Sequence, residues 1–346
     1  MRRTLLAAAI GFGIMGKAFA DETTADIVQV GDQNAVTVTQ TSVSYSGAYT
    51  LQSGNNQEIT LNQTGYSYFK GTQYGVDNQA TVNQNGGSNV AEVYQASEER
   101  AHFVTLDQRG TANSAYLTQA DGNSNYINLE QNGFANSSNV NQTWEGSSYV
   151  GTQVGEFNSA TTNQSGASAN VDQAGNRNET TLYQEGYGFG AHVSVSQAGD
   201  SNSANVAQFG NRYSAGTVIL SQNGDDNRAN VNEMSGMGSF TFSQTGNGNE
   251  LDAEHGGRST SVNGTQGGDN NIITLTQDLD GSSMTLAQKG VSNEIEINQA
   301  AYNSFAGVTQ TGNDNFANVT QAYGWNDSAM ITQNGNSNSA TLMQGQ

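Results

Sequence analysis

Apolar and polar residues alternate along this chain in short runs, and the runs repeat. In Asn293-Glu-Ile-Glu-Ile-Asn-Gln299, residues two apart share a character: Asn293, Ile295, Ile297 and Gln299 on one parity, Glu294, Glu296 and Asn298 on the other. Asn249, Leu251, Ala253 and His255 alternate in the same way with Glu250, Asp252 and Glu254. Ser304, Ala306, Val308 and Gln310 form a third such run. Side chains of a strand point alternately to its two faces. Each run is therefore a strand of about six residues with one apolar face flanked by amides and one polar or acidic face.

The strands are punctuated by a fixed frame, Q-x-G-x-x-N-x-A-x-V-x-Q, seen in full from Gln310 to Gln321. It opens at Gln29, Gln52, Gln73, Gln84, Gln108, Gln131, Gln153, Gln173, Gln197, Gln222, Gln244, Gln266, Gln288, Gln310 and Gln333, with glycine two residues on in all fifteen copies. Asparagine stands five on except at Gln57, and glutamine eleven on except at Glu233 and His255. From Gln222 to Gln310 the spacing is 22 every time. A looser strand, such as Ser282–Gln288 or Ser239–Gln244, fills the space before each frame. A fixed period of this length is the signature of a stacked array. Each unit is strand, turn, strand, turn, with Gly and Asn supplying the positive φ of the first turn. The expected fold is all-β: a β-solenoid of about fifteen strand-turn-strand coils forming two parallel in-register sheets, a cross-β arrangement. Stacking at one period places Gln over Gln and Asn over Asn, so that amides bond from coil to coil.

Two irregularities stand out. Gln84 follows Gln73 by only 11, and the charged Ser97-Glu-Glu-Arg100 follows, which predicts either a looped-out insertion or a switch of sheet over 84–101. Gln164 to Gln173 is short by two residues and predicts a tighter turn.

Composition agrees with an array. Hydrophobic residues are 34% and charged residues 12%, both below globular norms. Proline is absent, which suits a chain that is nearly all strand and tight turn. Cysteine is absent too, so no disulfide contributes. Residues 1–20 read as a signal peptide: Arg2 and Arg3, an apolar run to Met15, then Ala18-Phe19-Ala20 as a cleavage site. Residues 21–26 make a short N-terminal segment, and 27–346 the array. The apolar run is too short to span a bilayer, so no membrane insertion is expected. Removing the segment takes the net charge from −20 to about −23, which disfavours nucleic acid as a partner.

The frame and its spacing resemble the curlin repeat, and the resemblance covers nearly all of 27–344. Curlin is the subunit of curli, the bacterial extracellular functional amyloid. The resemblance implies a secreted subunit that polymerises end to end into cell-surface fibres supporting biofilm, adhesion and cell aggregation. It also implies a nucleating subunit and an outer-membrane secretion channel with accessory proteins as partners. The acidic array resembles the major subunit rather than the more basic nucleator. Members of the family commonly carry about five repeats and a Gly-rich leader, against fifteen frames and no long leader here.

The residues expected to carry the ladders and the assembly are Gln29, Gly31, Asn34 and Gln40 near one end; Gln288, Gly290, Asn293, Gln299, Gln310, Gly312, Asn315 and Gln321; and Gln333, Gly335, Asn338 and Gln344 near the other. No catalytic, metal or cofactor residues are expected. His102, His192 and His255 are scattered, and His255 stands at a ladder position. The carboxylates recur on the outward parity as solvated charges rather than as a pair for glycoside hydrolysis. Sequons at Asn141, Asn163 and Asn318 fall on that parity and are expected from chance in so Asn-rich a chain. Scattered Tyr and Phe could be adhesive, but many fall on the inward parity and are expected in the core, as Phe240 and Phe242 are. The alternative reading is a monomeric solenoid adhesin that binds a surface or glycan through its acidic or aromatic face.

Overall fold

The computed structural model describes residues 3–8 and 15–20 as backbone, and residues 23–41, 45–186, 190–210, 216–234 and 236–345 in full. Part of the expected signal peptide, residues 1–2 and 9–14, lies outside the described residues, as do 21–22. Among the described residues all regular structure is strand and turn, with no helix, in a β-solenoid of about 14 turns, close to the fifteen read from the frames.

The chain forms two compact units, 1–166 and 167–346, each built in the same way. The division falls at the short Gln164-to-Gln173 spacing. Within each unit, successive strands alternate between two sheets, and each strand pairs in parallel with the strand one coil away. In the first unit one sheet runs through Ala35–Thr41, Glu58–Thr64, Gln79–Gly87, Phe103–Thr111, Tyr126–Phe134 and Ser148–Glu156. The other runs through Thr23–Val30, Gly47–Asn55, Ser67–Val76, Asn89–Ser97, Ser114–Ala120, Ser137–Thr143 and Ser159–Ser165. Pairing is residue for residue: Gln84, Gln108 and Gln131 stand in one row, Gly86, Gly110 and Gly133 in another. The second unit repeats the plan from Ser168–Asn176 and Glu179–Glu185 to Ser328–Asn334 and Ser339–Gln344.

Burial follows parity, as the alternation predicts. In Glu250–His255 and Glu58–Thr64 every second residue is buried. The core of the first unit holds Ile59, Leu61, Leu106, Leu117, Ile127 and Leu129; that of the second holds Leu182, Leu220, Ile273, Ile295 and the stacked Phe240 and Phe242. Burying such side chains contributes about 1.5–3 kcal/mol each. Where a large ring enters this narrow space, a glycine makes room: Gly151 beside Tyr149, Gly71 beside Phe69, and Gly264 one coil above Phe242.

Two strands precede the first coil. Arg3–Ala8 and Met15–Ala20 pair antiparallel with Ala35–Thr41 and Thr23–Val30. The first coil strand begins at Thr23, inside the segment expected to precede the array.

The irregularity at Gln84 resolves as a switch of sheet. Ser67–Val76, Gln79–Gly87 and Asn89–Ser97 keep the alternation without a looped-out insertion. What changes is the strand on which the frame opens. At Gln29, Gln52 and Gln73 it opens in the sheet of Thr23–Val30. At Gln84, Gln108, Gln131 and Gln153 it opens in the other sheet. One coil therefore has a Gly-x-x-Asn corner on both sides, and the charged residues 98–100 occupy the next turn.

Candidate functional site

The inward glutamines at the strand ends form columns. In the first unit Gln29 donates from Nε2 to Oε1 of Gln52 at 2.7 Å, Gln52 to Gln73 at 2.8 Å, and Gln73 to Gln95 at 2.8 Å. In the second sheet Gln40 donates to Gln63 at 2.9 Å and Gln63 to Gln84 at 2.9 Å. The second unit carries Gln288 to Gln310 at 3.0 Å, Gln310 to Gln333 at 2.9 Å, Gln299 to Gln321 at 2.9 Å and Gln321 to Gln344 at 2.8 Å. Each amide nitrogen has two hydrogens, and many use both. Gln310 Nε2 also donates across its own coil to the Glu294 carbonyl at 2.9 Å. A column thus ties coil to coil and sheet to sheet. Each buried bond is worth about 1 kcal/mol, and an unmade one costs about 1–3.

The corner asparagines form further columns. Asn315 donates from its backbone N and from Nδ2 to Oδ1 of Asn293, and Asn338 does the same to Asn315. Their Nδ2 groups also cap glycine carbonyls of the next coil: Asn293 to Gly312 at 2.8 Å and Asn315 to Gly335 at 2.8 Å. Asn34 donates to the Gly54 carbonyl at 2.9 Å and accepts from Gln57 N at 3.1 Å. Gly31, Gly290, Gly312 and Gly335 all have φ between 108° and 132°. A Cβ on Gly312 would run into the Gly335 carbonyl, while the space above Gly335 holds nothing nearer than Asn338 Nδ2 at 3.4 Å. All sixteen residues expected in the ladders therefore stand in rows with their counterparts.

The exceptions sit in the same rows. Gln57 donates to the Gly75 carbonyl as an asparagine would, but its longer side chain leaves Oε1 buried without a partner. His255 replaces a column glutamine as the frame implies, and contacts Glu233 through Nδ1, both fully buried. The column is broken beyond it: His255 Nε2 and Gln277 Oε1 are both buried and unpartnered. His102 was not legible in the sequence as a ladder residue. It occupies a corner column, its Nδ1 accepting from Asn125 N at 3.3 Å and its Nε2 facing the Ala96 carbonyl at 3.0 Å. The two extra residues in the turn at 98–101 displace it from the five-residue interval after Gln95, which hides the equivalence. Burial lowers its pKa, only partly offset by the bond to Ala96.

The aromatic residues correct one expectation. Phe240, Phe242, Phe69 and Tyr149 are buried. The tyrosines at 45, 49, 66, 68, 74, 94, 116, 126, 183 and 323 are exposed. A coil about two side chains thick has little room for rings, so most face outward. Asn141, Asn163 and Asn318 are also on the outer face. Among the described residues no group of three or more His, Asp or Glu is placed to hold a metal ion, and no helix is long and apolar enough to cross a membrane.

The curlin associated repeat matches residues 103–133 and 290–322, one stretch in each unit. No curated protein matches the chain. Each matched stretch covers a frame with its Gly-x-x-Asn corner: Gln108, Gly110 and Asn113 in the first, and Gln310, Gly312 and Asn315 in the second. The repeat at these two places and the solenoid of about 14 turns fit a curlin-like protein.

Proposed function

We propose that the chain is a secreted structural subunit that assembles end to end into extracellular amyloid fibres of the curli type, as the major component of the fibre. Its partners in this reading are further copies of itself, a nucleating subunit, and an outer-membrane secretion channel with its accessory proteins. The fibres support biofilm, adhesion and cell aggregation.

The observation that carries the reading is the complementarity of two coil edges. Gln333 donates across its coil to the Phe316 carbonyl at 2.9 Å, which leaves its second N–H directed along the column and unused by the described residues. Gln344 donates likewise to the Ser328 carbonyl at 2.9 Å. At the other edge Gln29 Oε1 is buried and lacks a donor. Stacking the frame Gln333–Gln344 on the frame Gln29–Gln40 of a second copy supplies that donor. It sets Gly335 over Gly31 and Asn338 over Asn34, and covers Leu342, which is only half-buried at the open edge. The pairings are those already made inside each unit, so addition repeats a favourable step. Residues 3–8 and 15–20 cover the Thr23–Val30 and Ala35–Thr41 edges, and cleavage after Ala20 bares them. The acidic outer face slows association in every other direction.

Growth of purified 21–346, followed by thioflavin fluorescence with and without sonicated seeds, tests this. Seeded, lag-free growth with a meridional reflection at about 4.7–4.8 Å is expected. A stable rod that seeds do not convert overturns the reading.

A further inference from the structure

Four of the tyrosines that the core does not take collect in one place. In the unit 1–166 a groove of about 440 Å³ opens at the corner leading into Gly47–Asn55, Ser67–Val76 and Asn89–Ser97. Its walls are Tyr45, Tyr49, Tyr66 and Tyr68, exposed by 36–67%. The rings of Tyr49 and Tyr68 lie 5.7 Å apart, tilted by 40°. Tyr45 has φ 63°, a left-handed conformation that a bulky residue keeps only where its surroundings hold it. None of the described residues lining the groove is charged, in a chain of net charge −20.

The floor explains why the groove is there. In this corner the later coils carry asparagine, and each side chain bridges to the next coil: Asn89 to the Gly110 carbonyl at 3.1 Å, Asn113 to Gly133 at 3.2 Å, Asn136 to Gly155 at 2.9 Å. The first two coils carry Ser46 and Ser67 instead. Ser46 Oγ still reaches the Gly65 carbonyl at 2.6 Å. Ser67 does not reach its neighbour: it is 3% exposed, lines the groove, and its Oγ has no partner. A buried hydroxyl left so is unfavourable until something supplies the bond.

We propose that this groove binds a neutral oligosaccharide. Pyranose rings present C–H groups that pack on the electron-rich faces of tyrosines. Sugar hydroxyls supply the bond that Ser67 Oγ lacks and pair with the phenolic groups. The volume falls within the usual range for small-ligand sites, about 300–1,000 Å³. An anionic ligand would meet no cation in the lining. The site is on an outer face, which end-to-end stacking leaves open, so the proposal does not rest on fibre formation.

Calorimetric titration of the protein with cellohexaose, maltohexaose and chitohexaose tests it. Saturable binding of at least one is expected, weakened about tenfold or more by Tyr68→Ala or Tyr66→Ala, the loss of one stacking face. Ser67→Ala separates a ligand role from a structural one. It removes an unsatisfied hydroxyl, so it preserves or raises thermal stability, yet it weakens sugar binding several-fold. Absence of saturation with all three sugars overturns the proposal, as does unchanged affinity in all three variants. Lateral self-association that Tyr66→Ala and Tyr68→Ala abolish, with no effect of sugar, overturns it in favour of a second copy as the occupant. Seeded growth stays unchanged in these variants, so failure here is distinguishable from failure of the fibre reading.

Discussion

At His102 an imidazole stands in for an amide. Nδ1 accepts from Asn125 N, so the proton sits on Nε2, which donates to the Ala96 carbonyl. A second proton would set a donor against a donor in a buried corner, and burial already holds the pKa below its usual 6.5. Above about pH 6.5 both folded and unfolded chains carry it neutral, and it contributes no pH dependence. As pH falls below that value the unfolded chain takes up the proton first, so the surrounding coils lose stability until the folded state also protonates. His102→Asn, matching Asn78 and Asn125 in the same column, should flatten this loss. Amide hydrogen exchange of strands 89–97 and 103–111 at pH 5.5 and 7.5 measures it. The buried pair Glu233–His255 behaves differently. Replacing either residue alone by alanine leaves the other buried without this contact and should cost about 3–5 kcal/mol. The double variant Glu233→Gln/His255→Gln rebuilds the column and supplies a donor to Gln277 Oε1. It should be at least as stable as the parent, by about 1 kcal/mol or more, when local exchange protection is compared.

At the scale of the strand, the outer faces show how an acidic array tolerates stacking. Along one outward column run Asn230, Asp252, Thr274, Glu296 and Asn318; along the next, Arg228, Glu250, Ile272, Glu294 and Phe316. Carboxylates fall in every second coil, which spaces them about 10 Å apart, near one Debye length in physiological salt. The asparagines flanking them in the first column donate to the acids: Asn230 to Asp252 at 2.9 Å and Asn318 to Glu296 at 2.7 Å. Where Asp107 and Glu130 do stack directly, Arg109 bonds to both, at 2.6 and 2.7 Å. Thr274→Glu would put three carboxylates in successive coils. It should destabilise these strands by about 0.5–1 kcal/mol per like-charge contact, with most of the loss recovered at 1 M salt. A loss that salt does not relieve would point to packing instead. The inward face has its own compensation. Gly264→Val drives a branched side chain into the Phe242 ring one coil below and should cost about 1–3 kcal/mol, read as lowered protection of strands 239–245 and 261–269.

At the scale of the molecule, the ladders make the chain a polymer of coils in which each contacts its neighbours, so stability is close to a sum of coil and interface terms. The same arithmetic applies to a coil from another copy. Gln333→Ala with Gln344→Ala removes the donors at one edge and should slow seeded elongation several-fold, while the internal ladders lose only their last rungs, Gln310 to Gln333 and Gln321 to Gln344. Unchanged elongation would count against templating through these amides. Chain 1–346, with its edge covered by 3–8 and 15–20, should elongate seeds more slowly than 21–346, and cleavage after Ala20 should restore the rate.

Local chemistry determined much of this protein directly. Alternation assigned the inward and outward residues, because strand parity is a property of the backbone. The period assigned the coil, and Gly with Asn marked the corners, though only the glycine does so through a positive φ: the second positive φ falls on the residue before the asparagine, as at Gln33, Ala112 and Asp314, and the asparagine holds the corner by bonding from coil to coil. Glu233 and His255 were legible as ladder positions because the frame around them is intact. Tertiary packing decided the rest. Whether the short step at Gln84 extrudes a loop or moves the frame depends on which strands pair, and the row of Gln84 with Gln63 and Gln108 settled it. His102 became an amide substitute only because its coil places it between Asn78 and Asn125. The tyrosines turned outward because a coil two side chains thick admits few rings, and three of the four buried ones, Phe69, Tyr149 and Phe242, sit beside a glycine. The unpartnered Oγ of Ser67 is visible only in three dimensions, since a hydroxyl lacks a partner through what the next coil fails to bring within reach.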